Sequence, residues 1–226
     1  MKLIIVLIIL VFIYNYLLFK EINNFSNIDY ENSILIIGNA PIKNKNLGKK
    51  INKFKSVIRF NDFNIKDFKN DIGSKIDYWV ISDSFILFDY QRFLKKYNIY
   101  KNKKIFVIIP NVFKNNIKKL QKKLPKNIYN NLEILIEHKN IHHQYDFKNR
   151  WPSSGLLVIL YCLQTFNKKI YIHGFNHFSN KENKIHYYED KGKLDVSKQR
   201  GHIPNLEKNI VNNLKKNHKI FNLHTE

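Results

Sequence analysis

The sequence predicts an α/β domain built on a mostly parallel sheet covered by helices, preceded by an N-terminal transmembrane helix. Three observations carry this. Short runs rich in β-branched or aromatic residues recur at 34–37, 57–60, 78–81, 105–109, 132–136 and 170–172, and their length and composition are those of strands. Helix-like stretches, 85–96, 112–123 and 156–165, lie between them, and nearly continuous apolar strands alternating with helices mark a sheet buried on both faces. The length of 226 residues suits one domain with a full core and is too short for two of ordinary size.

The first element is the apolar one. Residues 3–19 carry no charge, with Tyr14, Asn15 and Tyr16 as the polar interruptions, and Lys20 and Glu21 follow at once. Such a run is at the short end for a spanning helix. A cleavable signal needs small residues before its cut, yet no Ala or Gly precedes Gly38. Residues 1–20 are therefore expected to be an uncleaved transmembrane anchor. Residues 21–32 follow as a polar stem and 33–226 as the single α/β domain. Lys2 and the amino terminus favour a type II-like, single-pass orientation, while Lys20 and the basic remainder pull the other way.

The formal charge of +21 invites an anionic partner such as nucleic acid or a membrane surface. Only four basic residues are arginines, Arg59, Arg92, Arg150 and Arg200, whereas a nucleic-acid reader relies on Arg forks. No nucleic acid is expected, and most of the lysines read as solvated surface. The charge still leaves open a membrane-tethered, non-catalytic protein that binds polyanions. Apolar residues at 44%, with 17 Phe and 13 Tyr, exclude disorder for most of the chain. Cys162 stands alone, which excludes an intramolecular disulfide and a Cys-based zinc site. His138, His142 and His143 lie close together without carboxylates, so no metal site is expected there.

The strand tips carry the candidate chemistry, because ligands in such sheets sit beyond the carboxyl ends of the strands. The first run stops at Gly38-Asn39, without the spacing of a dinucleotide site or a P-loop. Asn39 there either presents its amide to a ligand or belongs to a plain turn. The second run ends at Arg59-Phe60-Asn61, which puts Asn61 beside Asn39 if the two strands are neighbours. Trp151-Pro152-Ser153-Ser154-Gly155 precedes an apolar helix, where Ser153 or Ser154 is a natural N-cap and the first-turn amides form an anion site. Gly174 closes the last predicted strand. His186 and His202 then lie in polar, loop-like sequence, Pro204 stands near the start of the last helix, and Glu207 can orient a ring or cap that helix. A neutral imidazole is the side chain best matched to taking a hydroxyl proton at neutral pH.

These stretches resemble, in order, the four sialylmotifs of glycosyltransferase family 29, the eukaryotic-type sialyltransferases. Residues 34–81 resemble the large motif through Gly38-Asn39, Arg59-Phe60-Asn61 and Asp71-Ile72-Gly73-Ser74-Lys75. Residues 151–175 resemble the small motif through Pro152-Ser153-Ser154-Gly155-Leu156-Leu157 and Tyr171-Ile172-His173-Gly174-Phe175. His186-Tyr187-Tyr188-Glu189 resembles the third motif, and His202 with Glu207 the H-x4-E of the last.

The resemblance implies a single Rossmann-like domain of the GT-A kind. It also implies a metal-independent, inverting transfer of sialic acid from CMP-sialic acid to an acceptor sugar hydroxyl, such as that of a galactoside. Asn39 and Asn61 would hold the CMP, Ser153, Ser154 and Gly155 would contact the donor, and Gly174 would line the nucleotide pocket. His186 would stabilise the departing phosphate and His202 would be the general base. Trp151, Tyr187 and Glu207 are the candidates for acceptor contact or support. The partners are a CMP-sugar, a glycan and a membrane, the last Golgi-type in a eukaryote, with no cofactor. A donor such as CMP-Kdo would fit the same pocket, and the bacterial CMP-sialic acid transferases typified by Campylobacter are the nearest rival family. The disulfide joining the large and small motifs in the animal enzymes has no counterpart, because Ile34 and Asn167 occupy those positions.

Overall fold

The computed structural model describes residues 28–41, 46–137, 140–148, 150–176, 186–188 and 201–223. The expected anchor and all but the end of the stem, residues 1–27, lie outside the described residues. No helix among the described residues is long and apolar enough to cross a membrane. The chain divides after Tyr30, and the sheet with its covering helices belongs to the unit 31–226.

The elements of that unit alternate as the hydrophobic pattern requires. They are β1 (Ser33–Ile37), α1 (Gly48–Lys53), β2 (Ser56–Phe60), α2 (Lys69–Ile72), β3 (Tyr78–Ser82), α3 (Asp83–Phe88), α4 (Tyr90–Tyr100) and β4 (Lys104–Ile109). A 3-10 turn (Asn111–Phe113) leads to α5 (Asn116–Lys123), α6 (Lys126–Tyr129), β5 (Leu132–Ile136), α7 (Asn140–Tyr145) and α8 (Ser154–Thr165). The chain continues through β6 (Lys169–His173), α9 (Pro204–Lys216) and β7 (Ile220–Asn222). The seven strands form one sheet in the order β5-β4-β3-β2-β1-β6-β7. Every pairing in it is parallel. The chain walks outward from β1 to β5 and then resumes on the other side of β1. The order thus reverses between β1 and β6, and ligands of doubly wound sheets bind at such a point.

Both faces are covered, and every residue of β1 is buried. Ile34 and Ile36 pack with Leu156, Ile159 and Val211, under α8 and α9. On the far side of the sheet, Trp79, Ile81, Val107 and Ile109 pack with Phe93 of α4 and Leu120 of α5. Helix α8 is buried nearly all round, with Leu156, Leu157, Val158, Ile159, Leu160 and Cys162 inside. At roughly 1.5–3 kcal/mol for each fully buried aliphatic side chain, those five aliphatics contribute on the order of 10 kcal/mol before entropy is counted.

Two expected helices differ from the pattern. The stretch 85–96 is divided between α3 and α4 because Asp89 leaves helical geometry (φ −130, ψ 54) while its amide still closes on Phe85 O at 3.1 Å. The stretch 112–123 opens as the 3-10 turn, whose residue Phe113 bonds back to Pro110 O at 2.8 Å. The motif-joining disulfide is replaced by backbone, since β1 and β6 pair from Ser33↔Lys169 to Ile37↔His173. Cys162 is a free, buried thiol.

Arg59 explains why two separate stretches of the large motif occur together. It is 1% exposed. Its Nη2 donates to Ile72 O (2.6 Å) and Gly73 O (3.1 Å), and its Nε to Lys75 O (2.9 Å). Burial lowers its pKa to about 10. The Arg-Phe-Asn stretch therefore supplies a rigid fork of donors, and the Asp71–Lys75 stretch supplies the carbonyls it holds.

Candidate active site

The floor of the site is the contact between two glycines at the topological switch. Gly38 N donates to His173 O (2.8 Å) and Ala40 N to Gly174 O (3.0 Å). A Cβ on Gly38 would lie 2.3 Å from Gly174 O, and Gly174 adopts φ +72. Only residues without side chains let the two strand ends approach so closely.

Above this floor lies a cleft of about 790 Å³, at the roomy end for a ligand pocket. The sequence-predicted residues Asn39, Asn61, Trp151, Ser153, Ser154, Gly155, Gly174, His186, His202 and Glu207 all line it. Tyr187 does not. It is 3% exposed, and its hydroxyl donates to Asn64 O (2.7 Å) and accepts from Asn64 N (3.0 Å). Its backbone amide donates to Asn39 O (2.9 Å), and burial pushes its phenol pKa upward. These bonds hold Tyr187 against the tip of β1 and against Asn64. His186 beside it stacks on Tyr188, with ring centroids 5.2 Å apart.

The two asparagines differ in what they offer. Asn39 Nδ2 donates to Phe60 O (3.0 Å), and its buried Oδ1 has no hydrogen-bond partner among the described residues. An orphaned acceptor in a cleft wall is a group awaiting a donor. Asn61 Oδ1 accepts from Ser82 N (2.8 Å) and Asn61 O from Trp79 Nε1 (2.8 Å). That residue, in left-handed backbone at φ 43, fastens the tips of β2 and β3 together.

The start of α8 and the start of α9 are zipped to each other. Trp151 N donates to Gly201 O (3.1 Å) and Arg150 Nη1 to His202 O (3.0 Å). His202 Nδ1 lies 3.0 Å from Trp151 O. A carbonyl cannot donate, so Nδ1 is the donor in this contact. Glu207, 1% exposed, accepts from Ser153 N (2.8 Å) and Ser153 Oγ (2.6 Å), and its Oε1 is 4.0 Å from His202 Nδ1. Burial raises its pKa, while the Ser153 bonds and His202 pull it down. Ser153 Oγ also caps α8 by accepting from Leu156 N (3.3 Å). With Ser153 N and Leu156 N thus engaged, the amides of Ser154 and Gly155 remain as the uncommitted first-turn donors of the helix among the described residues.

Sequence reasoning passed over the opposite wall. Asp83, 4% exposed, also lines the cleft, and its Oδ2 accepts from Asn116 Nδ2 (2.6 Å). Burial raises its pKa. The rule that singled out Asn39 and Asn61 also reaches Ser82 and Asp83, because they end the third strand run. Asn116, Lys119, Phe88 and Phe113 carry no such signal in a chain full of Lys and Asn. Among the described residues no group of three His, Cys, Asp or Glu side chains could hold a metal ion. His138 lies outside the described residues, as do the side chains of His142 and His143.

A covered parallel sheet with an imidazole and a helix N-terminus at its switch point defines an α/β enzyme of the Rossmann-like class. The chain belongs to glycosyltransferase family 29 (sialyltransferase), whose profile matches residues 20–219. The non-catalytic reading falls with that membership. No curated protein matches the chain significantly by sequence.

Solved structures share the fold at low identity. A mammalian sialyltransferase in complex with Gal-beta-1-3GalNAc-ortho-nitrophenol is 16% identical, with a TM-score of 0.58 over 87% of this chain and 70% of that one. The sialyltransferase CstII from Campylobacter jejuni, in complex with cytidine-5'-monophosphate, is 17% identical, with a TM-score of 0.56 over 87% and 81%. The monofunctional alpha-2,3-sialyltransferase Cst-I from the same organism is 18% identical, with a TM-score of 0.56 over 88% and 78%.

Proposed function

We propose that this chain transfers sialic acid, with inversion, from CMP-sialic acid to a sugar hydroxyl such as that of a galactoside, and that His202 is the general base. The observation that carries the reading is the bond from His202 Nδ1 to Trp151 O, which holds the ring at the cleft and makes Nε2 the basic nitrogen of the neutral imidazole. The acceptor O–H gives its proton to Nε2 while its oxygen attacks the anomeric carbon of the donor. The bond from that carbon to the phosphate oxygen breaks, its electron pair leaves with CMP, and an imidazolium remains. Glu207, 4.0 Å from Nδ1, stabilises the cation that forms. Asn39 and Asn61, at the strand tips that line the cleft, hold the nucleotide. Gly174 lines the nucleotide pocket, and Ser153 shapes the helix start. The amides of Ser154 and Gly155, with His186, meet the charge growing on the departing phosphate. Trp151 supports the base and borders the acceptor. The GT-A kind of sheet, a type II-like anchor over 1–20 and a membrane location belong to the same proposal, supported by family membership and the apolar N-terminal run.

Released CMP measures the reaction. The variant H202A is expected to bind CMP like the wild type and to lose transfer by about 10²–10⁴-fold, the usual size of general-base catalysis. Retention of more than about a hundredth of wild-type activity would remove His202 from that role. Because His186 and helix amides take the place of a divalent cation, EDTA is expected to leave the rate unchanged. Inhibition by chelation would overturn this part.

A further inference from the structure

Between Asp89 and Glu133 the sequence holds twelve basic residues and no acidic one, an imbalance far steeper than that of the whole chain. Arg92, Lys96 and Lys104 in this span reach carboxylates. The six lysines from Lys114 to Lys126 do not. All six are exposed, and none forms an ion pair among the described residues, although Lys119 lies in the field of Asp83. Four of them stand on α5 in two rows, Lys118 with Lys122 and Lys119 with Lys123, at the spacing where like charges on a helix repel. Leu120 and Leu124 belong to the core, so α5 stays seated on the domain and presents this charge outward.

Apolar side chains stand beside these lysines. Lys123 Nζ donates to Leu87 O at 2.7 Å, which sets α5 against the end of α3, where Phe88 is 87% exposed. Val112, 59% exposed, lies in the 3-10 turn two residues before Lys114. Charge alone would suit any polyanion, yet a soluble one offers nothing to Phe88 and Val112. An anionic bilayer answers both features, since its phosphates attract lysines and its acyl boundary takes up exposed apolar side chains. Lysine suits the task, because its carbon stem lies along apolar surface while the ammonium stays with the phosphates. From this juxtaposition we infer that the outer face of α5, edged by Phe88 and Val112, docks on the headgroup layer of a bilayer rich in anionic phospholipid. This contact is distinct from the expected anchor over 1–20 and does not depend on the transfer reading. Phe88 and Lys119 also line the cleft, so a bilayer held on this face lies at the mouth of the cleft.

The test uses the full chain carrying V112C, labelled with an environment-sensitive NBD maleimide, while the buried Cys162 stays unlabelled. Vesicles are phosphatidylcholine alone, or phosphatidylcholine and phosphatidylserine in equal amounts. NBD emission is expected to shift to the blue on the mixed vesicles and to stay unshifted on phosphatidylcholine, although an inserted anchor would hold the chain on both. Raising NaCl from about 0.1 to 1 M shortens the Debye length from roughly 10 to 3 Å and should abolish the shift. The variant K118E/K122E/K126E in the same background should lose it too. Its release of CMP with a soluble galactoside should stay within about twofold of the parent, because none of the three lysines lines the cleft. An equal shift on both vesicles, or one that survives salt or the triple variant, would overturn the inference. Absence of any shift would overturn it as well, and salt-sensitive retention on heparin in that case would assign the face to soluble polyanions. Should the triple variant fold poorly, the salt titration of the labelled chain decides alone. A chain that binds the mixed vesicles in this way but releases no CMP would sink the transfer reading and leave the surface standing.

Discussion

Glu207 receives both the backbone amide and the hydroxyl of Ser153, at 2.8 and 2.6 Å, across 54 residues of sequence. Through these two bonds one buried carboxylate ties the first turn of α9 to the cap of α8. Stability and catalysis should therefore fail together when it is lost. E207A leaves two donors unanswered, which is expected to destabilise the fold by about 2–3 kcal/mol. For a domain of this size that lowers Tm by roughly 5–10 °C in a calorimetric or circular-dichroism melt. An unchanged Tm would show that water replaces the carboxylate at no cost.

The same residue predicts a pH dependence. Burial holds its carboxyl above its ordinary value, so the folded chain keeps a proton that the unfolded chain releases near ~4.3. Its contribution is then fully present below the unfolded value and is lost as pH rises through the folded one. E207Q does not titrate. Between about pH 4 and neutrality the wild type should lose more stability than E207Q in urea titrations at stepped pH. Parallel curves for the two proteins would contradict the raised carboxyl.

Arg59 should be irreplaceable by lysine. A single ammonium cannot reach three carbonyls held in the fork of a guanidinium. R59K is expected to cost about 2–4 kcal/mol by chemical denaturation, with CMP affinity largely kept, because Arg59 does not line the cleft. Loss of CMP binding in a folded R59K protein would assign it a direct role instead.

Gly38 admits no side chain. G38A would press a methyl against Gly174 O at 2.3 Å, so the tips of β1 and β6 must part. CMP affinity is expected to fall by about tenfold or more, together with Tm, as a packed contact is forced open. Isothermal titration with CMP measures it, and wild-type affinity would show that the floor is not shaped as described.

Cys162 should behave as an inert core group. Burial lifts its thiol to about 12, and it is 1% exposed. Iodoacetamide at neutral pH is expected to label it only in denaturant. Labelling of the native chain at the rate of a free thiol would show that α8 opens readily.

Most of the sheet was legible because burial on both faces writes itself into sequence as uninterrupted apolar runs. The run at 132–136 coincides with β5, and the other five predicted strands lie within one residue of their observed ends. β7 escaped because three residues are too few for any period to register. The break at Asp89 escaped because the apolar positions run on across it, and only the backbone at that residue shows the change of direction. At the site, residues at strand tips and helix caps were readable, since position alone gives Asn39, Asn61 and Ser153 their use. Asn116 and Phe88 were not, because their meaning comes from neighbours distant in sequence. Tyr187 was read through its motif, while its bond to Asn64, 123 residues away, was beyond any local pattern.

The zipper between Trp151 and Gly201 has one more effect. The contacts that aim His202 come from the entry to α8, so the ring inherits the stiffness of the most deeply embedded helix among the described residues. Sequence drift elsewhere on the cleft wall can then proceed while that ring stays where it is.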